Sequence, residues 1–337
     1  MNLLVSTSVI LFAIVALASL LFFVSINAKK WSARLLGIRS VSSSTNSISF
    51  VSILKPFLKH RSRQGFPVGF ILQLFYFGII FFSLSQFFVL PIFETTTVAG
   101  IEISGKLLET RYDLMFYMAI ALCYSLISFM LPVMLNSDLG VFWGIKLLAR
   151  NISADILIFI CILTTYVTYR DYNVSTIVAS QALQLGSWGI LLQPITAILF
   201  LFAVALKASV NPFSSFTGLD NAEELVSGNL MPLGYLLVRV ASSLTLIANI
   251  VLFISLFFGG YNLPFHISFF SEGPMVIAQG LVVLAVKSLP VLILLKWMHE
   301  LFPRLGYRDL VLKLWTKMYI AAVANLVLML TLTAFWN

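Results

Sequence analysis

Apolar residues in this chain neither alternate, as in a half-buried strand, nor mark one face of an amphipathic helix. They come in long runs separated by polar stretches. A membrane-spanning helix needs about 20 predominantly apolar residues. Eight runs reach or approach that length, at 3–26, 66–93, 113–135, 155–169, 186–206, 233–258, 274–298 and 315–336. The fourth is short, and a start within 147–153 would bring it nearer to spanning length. The pattern predicts an all-α polytopic membrane protein, a single membrane domain over residues 1–337 with about eight transmembrane helices. The first run is too long for the apolar core of a secretory signal. No small-residue cleavage site precedes Lys29 and Lys30, so the run is read as a retained helix. No internal repeat is evident, which counts against an inverted-repeat transporter.

Composition strengthens this reading. Of 337 residues, 60% are hydrophobic and 10% charged, whereas a soluble globular chain carries roughly 25% charged residues. The mean hydropathy is +1.01. Apolar surface on that scale has to face lipid. Cys123 and Cys161 lie far apart inside apolar runs, and His60, His266 and His299 are scattered. A metal or redox centre needs clustered ligands, so none is expected in this chain.

The net charge of +8 is unevenly spread. The loop after the first run holds Lys29, Lys30, Arg34, Arg39, Lys55, Lys59, Arg61 and Arg63 and no acid. Lys146, Arg150, Lys207, Arg304, Arg308 and Lys313 follow on the same side. On the other side Lys106, Arg111 and Arg170 are balanced by Glu94, Glu102, Glu109 and Asp171. The positive-inside rule then puts both termini outside and the long loops on the cytoplasmic or matrix side. The charge is a topology signal and does not point to nucleic acid. Residues 48–58, with Ser52 and Lys55 among apolar positions, suit a short helix at the membrane surface. Lys55 and Lys59 are its candidate interfacial charges.

A few polar groups stand inside the runs. Lys287 lies mid-run in the seventh, and a charge at bilayer depth costs about 2.5–3.5 kcal/mol on insertion scales. It stands roughly 11 residues from the inner end, about 16 Å at 1.5 Å per residue, beyond the reach of its side chain. An internal partner is therefore expected, and Pro290 nearby loosens the helix. Lys146 to Arg150 and Asn151 to Asp155 are both four-residue steps along one helical stripe. Asp155 reads equally well as a helix-end acid and as an internal charge. As an internal charge it is a candidate partner for Lys287. Arg239 is expected to snorkel to the inner face. The acids Asp220, Glu223 and Glu224 read, on residue type alone, as solvated loop charges.

Three stretches resemble the quinone-chamber membrane subunit of respiratory complex I, a family with mitochondrial members, called subunit 1, and bacterial ones. In the first, Lys146 and Asp155 stand where the family pattern has an Arg and the Glu of Ser-Tyr-Glu-Val. In the second, Asn211-Pro212-Phe213, then Asp220, Glu223 and Glu224-Leu225-Val226, is similar to the family's Pro-Phe, acidic run and Glu-Leu-Val. In the third, Lys287, Trp297, Pro303-Arg304, Tyr307, Leu310 and Trp315 keep the family's residue types and spacing. Phe257 to Pro264 also looks like the family's Phe-x-Gly-Gly loop. The departures are large. The Glu-Arg-Lys and Lys-Gly-Pro signatures shrink to Lys29-Lys30 and a Ser-rich stretch. The Glu and Arg before Pro-Phe become Lys207 and Val210, and two further acids fall on Pro232 and Thr245.

The resemblance implies a membrane subunit of a proton-pumping NADH–quinone oxidoreductase. Its quinone-chamber residues are Phe213, Asp220, Glu223, Glu224 and Arg304, and its proton-coupling residues are Lys146, Asp155 and Lys287. Ubiquinone is the implied substrate, with FMN and iron–sulfur clusters held by partner subunits and no cofactor bound by this chain alone. The implied partners are other membrane and peripheral subunits of complex I, quinone and lipid. The implied location is the mitochondrial inner membrane or, alternatively, a bacterial plasma membrane. The rival readings are the membrane subunit of an energy-converting hydrogenase and a stand-alone secondary transporter.

Overall fold

A computed structural model describes residues 66–98, 101–134, 138–182, 185–210, 213, 232–263, 274–302 and 315–336, together with position 15. The expected first span, the surface helix at 48–58 with Lys55 and Lys59, and the residues Asp220, Glu223, Glu224 and Arg304 lie outside these residues.

In a bilayer no water satisfies backbone N–H and C=O groups, so long apolar runs must close their hydrogen bonds internally as helices. They do so as α1 (Phe66–Ser85), α2 (Asp113–Val133), α3 (Asp138–Tyr169), α4 (Val174–Ala182), α5 (Gly189–Leu192), α6 (Pro194–Lys207), α7 (Pro232–Phe257), α8 (Pro274–Leu301) and α9 (Thr316–Trp336). Proline opens α6, α7 and α8, where its fixed φ suits a helix and its missing N–H costs nothing. Among the described residues six helices are long and apolar enough to cross a membrane, and α6 is a shorter apolar helix. The chain is a polytopic, all-α membrane protein.

Strands β1 (Thr96–Val98) and β2 (Ile101–Ile103) form a small antiparallel hairpin between α1 and α2. Lys106 ties this end together. Its Nζ donates to Asp113 Oδ2 at 2.8 Å and to Asn173 Oδ1 at 3.2 Å, joining the hairpin segment to the starts of α2 and α4. Asn173 also accepts the Ser175 N–H and caps α4. Beside it, burial pulls the Asp171 carboxyl upward. The Thr176 hydroxyl, the N–H groups of Asn173 and Tyr172 and the charge of Lys106 outweigh that pull and hold it below its ordinary value.

Helix α3 packs against α2, α6 and α9, while α7 packs against α1, α4, α6 and α8. The membrane-length stretch of α7 is 72% buried and that of α9 only 22%. The former is thus a central helix and the latter a peripheral one. Along α1, Ile71, Leu74, Phe77 and Phe81 are exposed one turn apart, an apolar stripe suited to lipid.

Three expected boundaries need correction. The run 66–93 is α-helical only to Ser85, with one 3-10 turn at Gln86–Phe88, and Phe87, Val89, Leu90, Ile92 and Phe93 are buried in that turn and the segment after it, beneath the hairpin. Those residues are apolar because they pack against protein. The run 155–169 is the second half of a 32-residue helix starting at Asp138. The run 186–206 is broken at Gln193-Pro194, leaving the short α5 and the 14-residue α6.

Candidate functional site

Where α2, α3 and α6 meet, the apolar interior gives way to a chain of polar groups. α2 contributes Ser125 and Ser128, α3 contributes Arg150, Asn151 and Asp155, and α6 contributes Lys207 at its last turn. Asp155 is 0% exposed and Lys207 9%. Lys207 Nζ donates to Asp155 Oδ1 at 2.5 Å, and Ser125 Oγ donates to Asp155 Oδ2 at 2.6 Å. Asn151 Nδ2 donates to Ser128 Oγ at 3.0 Å, and Asn151 Oδ1 accepts Arg150 Nε at 3.2 Å. Arg150 Nη1 donates to Ser209 Oγ, just past the end of α6. A buried charge is tolerated only when paired and hydrogen-bonded, and both carboxylate oxygens of Asp155 are so satisfied.

The end of α6 is closed in an unusual way. Ser209 N–H bonds to the Leu206 carbonyl at 3.2 Å and Val210 N–H to the Ala205 carbonyl at 2.9 Å, the two bonds of a Schellman motif. That motif calls for a left-handed residue and commonly uses Gly. Here Ser209 takes the position at φ 56°, at a cost of roughly 1–2 kcal/mol for a residue with a Cβ. Its hydroxyl accepts the Arg150 guanidinium. Phe213 follows, its N–H bonded to the Val210 carbonyl at 2.8 Å and its ring edge-on to Phe202.

A second polar site lies where α7 ends against α8. Lys287, midway along α8, donates to the carbonyls of Phe258 at 2.8 Å, Gly260 at 2.8 Å and Asn262 at 2.5 Å. Its ammonium also sits 5.4 Å from the Trp188 ring centroid. Gly259 and Gly260, at φ 69° and 54°, turn the chain so that these carbonyls converge. The cation thereby lies at the negative end of the α7 dipole. Gln181 of α4, 0% exposed, braces the same turn. Its Nε2 donates to the Leu256 carbonyl at 2.8 Å, and its Oε1 accepts the Gly259 N–H at 2.8 Å.

Asp155 lies inside a helix, which replaces the helix-end reading. Lys287 bonds internally, as its depth required. The pairing of these two residues that the sequence suggested is corrected, because Asp155 takes Lys207 and Lys287 takes backbone carbonyls. Lys146 lies one turn from Arg150 with its ammonium 4.3 Å from the Phe142 ring centroid. Sequence reasoning placed Asn151 on the stripe with Asp155 but missed Lys207, Ser125 and Ser209 as members of this network. The available signal was that Lys207 is a charge at the end of an apolar run, at a position where the similar family has Glu. Among the described residues no group of three or more His, Cys, Asp or Glu could hold a metal ion.

The family model described as NADH dehydrogenase matches residues 7–330. "NADH-ubiquinone oxidoreductase chain 1" of Mycosarcoma maydis is 28% identical over 201 residues, 57% of this chain and 57% of that protein. An NADH-quinone oxidoreductase subunit of Leptospira biflexa is 29% identical over 189 residues, 54% of this chain and 51% of that protein. An NADH-quinone oxidoreductase subunit of Geobacter sulfurreducens is 25% identical over 253 residues, 73% of this chain and 70% of that protein. The chain thus spans just over half the length of the first two relatives.

Proposed function

Because this chain belongs to the NADH dehydrogenase family, we propose that it is a membrane subunit of a proton-pumping NADH–quinone oxidoreductase. In this reading it forms much of the quinone chamber and couples quinone reduction to proton translocation. The observation that carries the coupling half is the buried bundle of Asp155, Lys207, Arg150 and their hydroxyl and amide partners. Apolar helices that only faced lipid would not retain three charged side chains at 9% exposure or less.

Phe213, Asp220, Glu223, Glu224 and Arg304 line the chamber in this reading, and an apolar, Phe-rich bundle gives the quinone tail a route from the bilayer. Reducing a quinone adds electrons and protons to its head group, so acids and a guanidinium around it rebalance charge as the reaction proceeds. Lys146, Asp155 and Lys287 carry that change into the membrane. Lys55 and Lys59 face the interface with peripheral subunits. FMN and iron–sulfur clusters belong to those partner subunits, and ubiquinone is the substrate. The complex resides in the mitochondrial inner membrane or a bacterial plasma membrane.

Arg304→Ala tests the chamber. It is expected to lower quinone-dependent NADH oxidation about tenfold, the equivalent of ~1.4 kcal/mol, while NADH oxidation by a hydrophilic acceptor persists. Loss of both activities together would instead mark failed assembly, and retention of both would remove Arg304 from the chamber.

A further inference from the structure

The two cross-links between α3 and the end of α6 are independent and converge on one short segment. Lys207 pairs with Asp155 by charge, and Ser209 pairs with Arg150 through its hydroxyl. Between them lies Ala208, and four residues past Ser209 comes Phe213, 2% exposed and packed on Phe202. A left-handed residue with a Cβ is held only where its surroundings over-determine it. Here the over-determination comes from α3. A glycine would close the same Schellman motif without strain but would offer Arg150 no acceptor. The choice of Ser therefore favours attachment to α3 over backbone ease. Without its partner on α6, Asp155 would be a buried charge left alone, so the attachment also works in the other direction.

We propose that Lys207, Asp155, Arg150 and Ser209 form a positioning clamp that fixes Phe213 at the root of the quinone-side loop. The clamp sets quinone affinity, resting on the assignment of Phe213 to the chamber made above. None of the four needs to touch quinone. They act through Phe213 by holding the end of α6 in one place on α3.

The test uses the assembled complex in membranes. Lys207→Met is expected to raise KM for a short-chain ubiquinone analogue about tenfold, and Ser209→Ala, which leaves the Asp155–Lys207 pair intact, to raise KM with kcat within about twofold, the pattern of lost ground-state positioning. NADH oxidation by a hydrophilic acceptor should persist. Hydrogen exchange at the Val210 and Phe213 amides, whose acceptors are the Ala205 and Val210 carbonyls, should accelerate. The charge-swapped pair Asp155→Lys with Lys207→Asp should restore both readouts toward wild type, because attraction between the two helices is restored. If Lys207→Met fails to assemble, Ser209→Ala and Ser209→Gly carry the same test. Both lose the acceptor but only Ala keeps the strained φ, so Ala should raise KM and exchange more than Gly. Unchanged exchange in assembled variants would overturn the clamp. Faster exchange with an unchanged KM would overturn its link to quinone, and Arg304→Ala judges the chamber separately.

Discussion

Lys287 shows how a charge part-buried within an apolar helix is accommodated. An ammonium has three protons to donate, and three carbonyls at the exit of α7 accept them. No carboxylate is needed, because converging backbone oxygens at a helix C-terminus supply a negative field of their own. Lys287→Met leaves those acceptors without their donor in a half-buried site. The expected cost is about 2–4 kcal/mol, given that hydrogen bonds from charged groups contribute roughly 1.5–3 kcal/mol each and losses overlap. It should register as a lower thermal midpoint of the solubilised complex. In the fraction that assembles, turnover should continue with a lower proton-to-electron ratio. An unchanged ratio would confine Lys287 to holding the turn. Asp155 and Lys207 follow a different rule. Removing one member strands the other, and breaking such a buried pair costs about 3–5 kcal/mol, even where the intact pair adds little stability.

Among the secondary-structure elements, α5 and α6 depend most on their neighbours. The broken run at 186–206 leaves α6 too short to cross a bilayer alone, so its ends must be satisfied by protein. Its first turn contributes Thr196, whose hydroxyl accepts Asn325 Nδ2 from α9 at 2.8 Å. Just before it, Gly189 of α5 lies so close to α7 that a Cβ would stand 2.2 Å from the Leu256 carbonyl oxygen. That oxygen already accepts Gln181. Gly189→Ala should therefore push α5 away from the α7 exit, loosen the Gln181 brace and destabilise by about 1–3 kcal/mol, the usual cost of overpacking. A reduced yield of assembled complex, with faster exchange at the Gly259 amide, would report it. Wild-type yield and exchange would show that the turn absorbs the extra methyl.

For the molecule as a whole, α3 is the axis. It contacts α2, α6 and α9, and it carries Arg150, Asn151 and Asp155 into the interior on one stripe. The hairpin end is closed by the Lys106–Asp113 ion pair and the cap of α4, so its charges cancel locally. The loops that the sequence assigns to the other side carry the unbalanced basic charge. That asymmetry predicts that cysteines introduced at Arg61 and Glu94 label from opposite sides of the membrane, with Arg61 on the matrix or cytoplasmic side. Labelling from the same side would overturn the topology. Fold class was legible throughout, since runs of apolar residues about 20 long leave the chain few alternatives to spanning helices. The helix ends were less legible. Residues 86–93 are as apolar as the span before them, although protein rather than lipid covers them.

By itself the sequence determined that this is a membrane protein, that its long apolar runs are helical, which loops carry the charge and that Lys287 needs an internal partner. Each of these follows from local chemistry: hydropathy summed along a run, or the length of a side chain against the depth of its helix. The partner of each buried charge was decided by tertiary structure. Lys207 and Asp155 stand 52 positions apart, and Lys287 lies 25 to 29 positions from its carbonyls. Electrostatic attraction names the kind of partner a buried charge requires, but several candidates in the sequence meet that requirement. Only the packing of α3 against α6, and the turn that two left-handed glycines impose after α7, brings one of them within bonding distance.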